Sequence, residues 1–328
     1  MDKFLAYRIF KDDRNGRGRL VEMNTDELDP GEVVIRTAYS SVNFKDALTG
    51  TGAGKIVSRY PTVGGCDGSG TVLSSTDSRF KSGDEVLCTG YDMAKSHDGG
   101  YAGIMRLPAD WLVPLPPGLS LFDAMALGTA GYTSALALEL LELNGMAPDK
   151  GKVLINGATG GCASLAIDML ARLGYSVTAV TGKTGEHDYL KKLGASDVLG
   201  REALAAGTRP LDKSLWAAAF DSVGGTQLAA LIRSMQQHGV IASFGNAGGI
   251  ELNTTVLPFI LRGVRLLGVD SAYTPMATRR RVWQRLATDL RPRHLDNIAQ
   301  TIALEDLPPT FETMLKQQTR GRIVVKIN

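Results

Sequence analysis

A glycine-rich turn between an apolar run and a helix-forming run is the clearest chemical signal in the sequence. The apolar run 153–155 leads into the residues NGATGGC at 156–162, and 163–173 has helix-forming character. Glycines let a backbone approach a pyrophosphate, and a helix N-terminus offers N–H groups and a favourable dipole. Aligned as G-x-G-x-x-G, the motif positions are Ala158, Gly160 and Ala163, so only the middle glycine is kept. The alternative is a tight turn without a ligand; the strand–turn–helix context favours dinucleotide binding.

The end of the next predicted strand, 176–180, indicates which dinucleotide would bind. Thr181, Gly182 and Lys183 follow it. This region lacks the Asp or Glu that an NAD site usually places about 20 residues past the glycines, on the ribose 2′-hydroxyl. A hydroxyl, a glycine and an ammonium group suit a 2′-phosphate better, and Arg201 adds a second cation. We therefore expect NADPH rather than NADH, with a polar loop that binds nothing as the alternative.

The elements that must position these residues follow from the pattern of apolar runs. Strands predicted at 152–156, 176–180, 198–199, 216–220, 240–244 and 264–269 alternate with helices at 163–173, 187–193 and 227–235. This alternation is typical of a parallel sheet covered on both faces. Asp168 and Arg172 are expected on the polar face of helix 163–173. The first 120 residues instead predict compact β structure, with a strand at 33–39 and dense glycine over 50–70. After a helix at 129–143 and the alternating region, the tail predicts an arginine-rich helix at 278–289 and a last strand at 323–327.

The composition excludes several classes of function. The 328 residues suffice for two domains, and 44% hydrophobic with 21% charged residues excludes a mostly disordered chain. A net charge of +2 offers no basic surface for nucleic acid or an anionic membrane. The three cysteines and four histidines form no metal-binding or redox spacing, so no metal is expected. The N-terminus becomes charged too early for a signal peptide, and the apolar stretch 121–143 is interrupted by Asp123 and Glu139. We therefore expect a core helix and a cytoplasmic protein.

Several motifs together resemble a known superfamily. They are the runs YSSVNFKD at 39–46, GGYA at 99–102, GTAGYT at 128–133, ATGGCAS at 158–164, TGK at 181–183, LPFILRGV at 257–264 and GRIVVK at 321–326. With them the chain resembles the medium-chain dehydrogenase/reductase superfamily over essentially its whole length. It is most similar to the quinone-oxidoreductase-like branch that includes NADPH-dependent acrylyl-CoA reductases.

The resemblance implies an α/β fold with a GroES-like, β-rich catalytic domain and a Rossmann domain with a doubly wound parallel sheet. The expected domains are the first part of the GroES-like domain at 1–125, the NADPH-binding domain at 126–271, and a return to the catalytic domain at 272–328. The chain departs from the zinc alcohol dehydrogenases, which carry Gly-His-Glu where this sequence has Gly65-Cys66-Asp67 and often a four-cysteine lobe. Because zinc polarises a carbonyl as a Lewis acid, an enzyme without it should prefer an acceptor that stabilises its own negative charge. A C=C bond conjugated to a thioester or ketone does so, and a quinone also qualifies.

The resemblance also implies the catalytic residues. Asn43, Phe44 and Asp46 match positions that form the floor near the nicotinamide. Asn43 is expected to donate to the substrate carbonyl or the cofactor ribose. Asp46 is expected to orient its neighbours, because an ionised carboxylate would oppose a developing enolate; a helix N-cap is the alternative for both residues. Tyr132 is a candidate proton donor to the α-carbon, with core packing, or water as the proton source, as alternatives.

The cofactor contacts that the resemblance implies are spread along the chain. They are Phe44, Thr133, Thr159, Gly160, Gly161, Cys162, Thr181, Gly182, Lys183, Arg201, Asn246, Ile260, Ser271 and Gln317. For Ile260, core packing is an equal alternative, and Cys162 is interpreted as a small apolar residue rather than a redox thiol. The arginines 279–281, with Arg285, are either contacts for coenzyme A phosphates or a solvated helix face.

The sequence thus predicts a zinc-independent enzyme that moves hydride from NADPH to the β-carbon of a short-chain enoyl thioester, such as acrylyl-CoA. An NADPH-dependent quinone or enone reductase is the alternative within the same chemistry. A non-catalytic NADPH-binding sensor or structural protein is the alternative of another class. A small-molecule substrate and a homodimer through the strand near Val264–Val269 are the expected partners, without nucleic acid or membrane.

Overall fold

The computed structural model describes residues 3–12, 16–204 and 209–328, which form two compact units. The first unit comprises Met1–Ala130, Ala272–Ala287 and Leu295–Asn328, and the second comprises Gly131–Ser271 and Thr288–His294. The domain boundaries were expected after residues 125 and 271, and the structure divides the chain after residues 130 and 271. The short return of 288–294 to the second unit was not anticipated.

The strands and helices of the described chain are as follows. The strands are β1 (Phe4–Lys11), β2 (Gly16–Met23), β3 (Val33–Val42), β4 (Thr62–Val63), β5 (Asp67–Ser75), β6 (Glu85–Thr89), β7 (Ile104–Leu107), β8 (Val113–Pro114), β9 (Val153–Ile155), β10 (Val177–Val180), β11 (Asp197–Leu199), β12 (Trp216–Asp221), β13 (Met235–Ser243), β14 (Arg265–Gly268), β15 (Ala299–Ala303) and β16 (Arg322–Lys326). The helices are α1 (Phe44–Thr51), α2 (Leu121–Leu143), α3 (Gly161–Arg172), α4 (His187–Lys192), α5 (Gly225–Ser234), α6 (Leu257–Arg262), α7 (Met276–Ala287), α8 (Leu295–Ile298) and α9 (Leu307–Leu315).

Two sheets build the first unit. A three-stranded antiparallel sheet has the order β2-β1-β4, and a seven-stranded sheet has the order β15-β16-β3-β5-β6-β8, with β7 also pairing with β3. The β-branched run predicted as a strand is β3, and it extends to Val42 because β5, β7 and β16 all pair with it. Val33, Ile35 and Thr37 point to the buried side of β3 while Arg36 is exposed, which is the alternation of a half-buried strand. β16, from the end of the chain, therefore lies inside the sheet of the first unit.

Gly128 divides the long apolar helix α2. Its backbone has φ 51° and ψ −157°, a conformation that side chains other than hydrogen rarely allow. A Cβ at Gly128 would lie 2.6 Å from Arg322 Nη2 and 2.7 Å from Asp67 Oδ2. The helix is long and apolar enough to span a membrane, but 89% of its apolar window is buried inside the protein, as expected of a core helix.

The second unit contains a six-stranded parallel sheet with the order β11-β10-β9-β12-β13-β14. Numbered within the unit this order is 3-2-1-4-5-6, that of the dinucleotide-binding Rossmann fold. The strands β9, β10 and β12 are buried throughout, which explains why their sequences read as continuous apolar runs. The predicted α/β fold with a doubly wound parallel sheet is confirmed for this unit.

Asp168, which was expected with Arg172 on the polar face of α3, is instead buried, so that expectation was wrong for Asp168. Asp168 is 1% exposed and accepts the backbone N–H groups of Arg293 at 3.1 Å and His294 at 2.8 Å. Arg172 donates to the carbonyl oxygen of Arg291 at 2.5 Å. Both side chains hold the segment 288–294 against α3. This segment returns from later in the chain to cover the helix face, which the local sequence pattern does not show.

Candidate active site

Asn43 is the N-cap of α1 and links the end of β3 to the helix. Its backbone N–H donates to Asp46 Oδ2 at 2.8 Å, so the N-cap arrangement left open by the sequence is present. The Asn43 side-chain amide donates to Asp67 Oδ2 at 2.8 Å and to Cys66 Sγ at 3.3 Å. Both N–H bonds of this amide are used within the protein, so donation to a substrate carbonyl would require one of them to open. Phe44, the first helical residue, is 41% exposed.

Asp67 is the centre of a buried polar network. Its carboxylate accepts from Ser41 Oγ at 2.5 Å, from Thr129 N at 2.9 Å and from Thr129 Oγ1 at 2.5 Å, besides the Asn43 amide. Arg322 Nη2 lies 3.8 Å from Asp67 Oδ2 and donates to Ser41 Oγ at 2.7 Å. Both carboxylate oxygens accept hydrogen bonds and a guanidinium lies nearby, so the protein compensates the loss of water around this fully buried side chain. The network ties β3, β5, α2 and β16 to one point.

Asp46 and Cys66 have shifted pKa values. Burial, and secondarily the charge of Asp67, raises the pKa of Asp46 to about 6. The backbone N–H of Cys66 donates to Asp46 Oδ1 at 3.0 Å, and the thiol lies 3.6 Å from Asp46 Oδ2. Burial, followed by the charges of Asp46 and Asp67, raises the pKa of the Cys66 thiol well above its usual range. Cys66 is therefore a neutral thiol, and Asp46 changes charge in the range where enzymes commonly work.

A cavity of about 180 Å³ adjoins this cluster within the first unit. Lys45, Asp46 and Cys66 line it, and Ile56 and Met93 contribute apolar surface. A space of this kind, mostly apolar with a few polar groups, is typical of a small-molecule site.

Arg279 holds one wall of this cavity, so both interpretations of it, a contact for coenzyme A phosphates and a place on a solvated helix face, were wrong. Arg279 is fully buried; it donates to the carbonyl oxygens of Thr89 at 2.8 Å and Ala272 at 2.9 Å, and lies 4.4 Å from the Tyr91 ring centroid. Tyr91 and Ala94 have left-handed φ values of 51° and 58°, so the wall is a strained turn held in place by its neighbours. A charged residue of an arginine-rich helix was thus a buried structural cation.

In the second unit the glycine-rich turn follows β9 as predicted. Asn156, fully buried at the end of β9, donates to Asp221 Oδ1 at 2.6 Å and accepts from Ser222 N at 2.8 Å, joining β9 to β12. Gly157 has φ 58°, and Gly160 is the N-cap of α3. Thr159, Gly160, Gly161 and Cys162 therefore surround the first turn of α3, at the carboxyl ends of the central strands where such sheets bind ligands.

The end of β10 brings two predicted residues together. A Cβ at Gly182 would lie 2.5 Å from Arg201 Nε and 2.8 Å from Arg201 Cζ, so the guanidinium group lies on the glycine backbone. The backbone N–H of Lys183 donates to Thr181 Oγ1 at 3.1 Å. Arg201 follows β11, the strand next to β10, and is exposed. A guanidinium beside a hydroxyl and a lysine suits a phosphate group.

The sequence analysis missed a second glycine-rich feature, a close contact between the loops that follow β12 and β13. At the ends of β12 and β13, a Cβ at Gly224 would lie 2.6 Å from Gly249 O, and Gly248 N donates to Val223 O at 2.7 Å. Asn246, a predicted cofactor contact, lies in this loop and is exposed. The dense glycine of residues 224–225 and 245–249 was the available signal.

The remaining predicted residues lie on other elements of the fold. Tyr132 and Thr133 are buried in α2, at 0% and 4% exposure, which favours packing over proton donation for Tyr132. Ile260 in α6 is 68% exposed, so the core-packing alternative was wrong. Ser271 is the last residue of the first segment of the second unit, and Gln317 follows α9 in the first unit with φ 58°.

The residues at the position of the zinc-binding motif do not fit zinc. The Asn43 amide points N–H groups at Cys66 Sγ and Asp67, and the oxygens of Asp67 are occupied by hydrogen-bond donors. Across residues 3–12, 16–204 and 209–328, no group of three or more His, Cys, Asp and Glu side chains is placed to hold a metal ion. The residues at the glycine-rich turn and at the end of β10 do fit a phosphorylated dinucleotide.

Comparison with known proteins assigns each unit to a family and confirms the predicted GroES-like and Rossmann domains. Residues 29–117 match the family described as alcohol dehydrogenase GroES-like domain, and residues 161–288 match the family described as zinc-binding dehydrogenase. The chain is 43% identical to acrylyl-CoA reductase AcuI of Ruegeria pomeroyi over 328 residues, covering 99% of each chain. It is 48% identical to putative quinone oxidoreductase YhfP of Bacillus subtilis over 93% of each chain.

Solved structures agree with this placement. The Escherichia coli K-12 protein YhdH with bound NADPH has a TM-score of 0.96 and 43% identity, covering 98% of this chain and 100% of that one. The Bacillus subtilis YhfP structure, with NAD bound, has a TM-score of 0.97 and 45% identity over 99% and 100%.

Proposed function

Because the chain belongs to the medium-chain dehydrogenase/reductase superfamily, in its acrylyl-CoA reductase branch, we propose that it reduces the C=C bond of a short-chain enoyl thioester such as acrylyl-CoA, using NADPH. The observation that carries this proposal is the 43% identity to an acrylyl-CoA reductase over 99% of both chains. The geometry of the two units supports it in different ways.

The second unit supports the use of NADPH. Thr181, Lys183 and Arg201 would hold the 2′-phosphate, because their hydroxyl and cationic groups gather at the end of β10. The N–H groups of the first turn of α3 would hold the pyrophosphate. NADPH supplies the hydride of the reaction when bound.

The first unit supports an acceptor that can delocalise the negative charge formed during hydride transfer. Hydrogen-bond donors of the protein occupy both oxygens of Asp67, and the residues at the zinc-motif position do not fit a metal. The protein's own side chains must therefore polarise the acceptor. A conjugated thioester suits this, because charge that arrives at the β-carbon spreads to the carbonyl oxygen. The cavity beside Asp46 and Cys66 would take the short acyl group. Solvent would supply the proton for the α-carbon.

Reduction of a quinone is the second candidate, favoured by the 48% identity to the putative quinone oxidoreductase of Bacillus subtilis. Purified protein is tested for NADPH oxidation with acrylyl-CoA and with a simple quinone in parallel, and NADH replaces NADPH in matched reactions. Fast turnover of acrylyl-CoA with NADPH is expected. Turnover with the quinone alone would remove the thioester from the proposal. Tight NADPH binding without any turnover would instead favour a sensor or structural role.

We also propose that the chain forms a homodimer through the edge strand β14. β14 has one pairing partner among the described strands, β13, which leaves its other edge open. Ile250, Val256 and Ile260 are between 66% and 80% exposed in the segment that precedes it. Large exposed apolar side chains and an open strand edge are each typical of a surface that pairs with another chain.

A further inference from the structure

Two lysines line the cavity of the first unit, and they differ in how their charges are used. Lys95 Nζ lies 2.9 Å from Tyr273 Oη and 3.2 Å from Asp92 Oδ1, so its charge is paired within the wall. Lys45, in the first turn of α1, is exposed at the cavity. Within the part of the chain that the structure describes, its ammonium group makes no hydrogen bond or ion pair. Lys45 therefore offers a cavity ligand an uncommitted positive charge.

The cavity needs such a charge if its ligand becomes anionic. Asp46, 2% exposed, lines the cavity, and the buried carboxylate of Asp67 is hydrogen-bonded to Asn43 next to it. A negative charge that develops in the cavity would meet repulsion from both groups. Lys45 already acts on this site, since its charge counters part of the rise in the pKa values of Asp46 and Cys66. Its ammonium is thus near enough to oppose the repulsion.

We propose that Lys45 is a catalytic residue that donates an N–H hydrogen bond to the thioester carbonyl oxygen and stabilises the enolate. This inference rests on the proposed function. As the hydride bonds to the β-carbon, the C=C π pair becomes the new α-carbon–carbonyl-carbon double bond, and the carbonyl π pair moves to oxygen. Lys45 remains protonated and pairs with that oxygen. The α-carbon then takes one proton from solvent, the C=O bond reforms, and the saturated thioester leaves.

The test compares Lys45→Met with a matched control, Lys55→Met. Lys55 is an exposed lysine on the loop after α1 and does not line the cavity. Removal of one donor to a developing oxyanion typically lowers kcat by about 10²–10³, and we expect this for Lys45→Met on acrylyl-CoA, with NADPH affinity unchanged. Lys55→Met should stay within about twofold of the wild type, as surface changes usually do.

Two further readouts separate a catalytic role from a structural one. With NADPH deuterated at the transferred position, the isotope effect on kcat should increase in Lys45→Met, because hydride transfer becomes more rate-limiting. Without NADPH, acetoacetyl-CoA is the probe: the near-ultraviolet absorbance of its enolate should rise on binding to the wild type and to Lys55→Met, and not to Lys45→Met. The isotope effect is a ratio of rates and does not depend on the amount of folded protein, and the enolate absorbance is normalised to the concentration of NADPH-binding sites in each preparation.

The outcomes distinguish this proposal from the proposed function. If the wild type does not reduce acrylyl-CoA, the proposed function fails before the variants matter. If the wild type reduces it and Lys45→Met retains its kcat, enolate signal and isotope effect, Lys45 has no role at the carbonyl. A raised KM with unchanged kcat would place the ammonium on another part of the thioester and would also overturn the proposal.

Discussion

Asp46→Asn should remove a fall in stability that the wild type shows as pH rises from about 4 to about 6. The folded state holds the Asp46 proton more tightly than the unfolded state, because burial and Asp67 raise the pKa from 3.8 to about 6. A carboxyl with a raised folded pKa favours folding at low pH, and this advantage is lost as pH passes the folded pKa. The two pKa values set the full effect at about 3 kcal/mol. Of this full effect, the free energy of unfolding changes by about 1.4 kcal/mol between pH 8 and pH 5.

The assay is urea unfolding of wild type and Asp46→Asn at pH 5 and at pH 8. The amide has a single acceptor oxygen for the N–H groups of Asn43 and Cys66, so the variant loses about 1–3 kcal/mol at every pH. That loss is the same at both pH values, so it cancels when the pH-dependent changes of the two proteins are subtracted. The wild type should gain about 1.4 kcal/mol more than the variant on going from pH 8 to pH 5. Parallel pH profiles would refute the assignment of a raised pKa to Asp46.

Three further perturbations test other features. Arg201→Ala should weaken NADPH binding by about 10- to 100-fold, as expected for one or two charge-assisted hydrogen bonds, and leave NADH binding unchanged in a fluorescence titration; an equal loss for both would remove the 2′-phosphate assignment. Ile260→Asp should convert a dimer to a monomer in sedimentation velocity, while Leu143→Asp, at a 74% exposed position elsewhere on the second unit, should not; an unchanged Ile260→Asp species would refute the β14 interface. Gly128→Ala should cost more than about 3 kcal/mol in urea unfolding, because backbone strain adds to contact with Arg322 and Asp67. Gly83→Ala, with φ 94° and open space, should cost about 1 kcal/mol, and equal costs would contradict the contact argument.

The Rossmann unit could be predicted from the sequence because its signals are local. Each buried parallel strand is a short apolar run, and Gly160 at the start of α3 marks where the chain turns. Lys183 and Arg201 were predicted as cofactor contacts from residue type alone, and they follow two neighbouring strands, β10 and β11. The N-cap spacing of Asn43 and Asp46 was considered only as an alternative to a functional role, and it marks the start of α1, a helix in a region that was expected to be β structure.

The rest could not be predicted because it depends on contacts between residues far apart in the sequence. The role of Arg322 follows from the pairing of β16 with β3, a register that no local pattern specifies. Asp168 was expected on a polar helix face, and a solvated helix face was one of two interpretations of Arg279. Their burial follows from contacts with distant residues, with 293–294 for Asp168 and with Thr89 and Tyr91 for Arg279. Lys45 belongs to the run 39–46 that carried the family resemblance, but the cavity it lines is formed by residues far apart in the sequence, so its proposed role could not be predicted.

The place of β16 inside the first sheet imposes an order on the chain's assembly as it leaves the ribosome. All six strands of the second unit have been synthesised by residue 268, whereas the first sheet still lacks β15 and β16. Until Arg322 arrives, Asp67 would be a buried carboxylate without its cation, which disfavours closure of that core. The nucleotide-binding unit can therefore mature first, while the N-terminal residues wait for the last ones. A message cut short near residue 320 would leave a chain with an intact glycine-rich turn and an unfinished substrate unit.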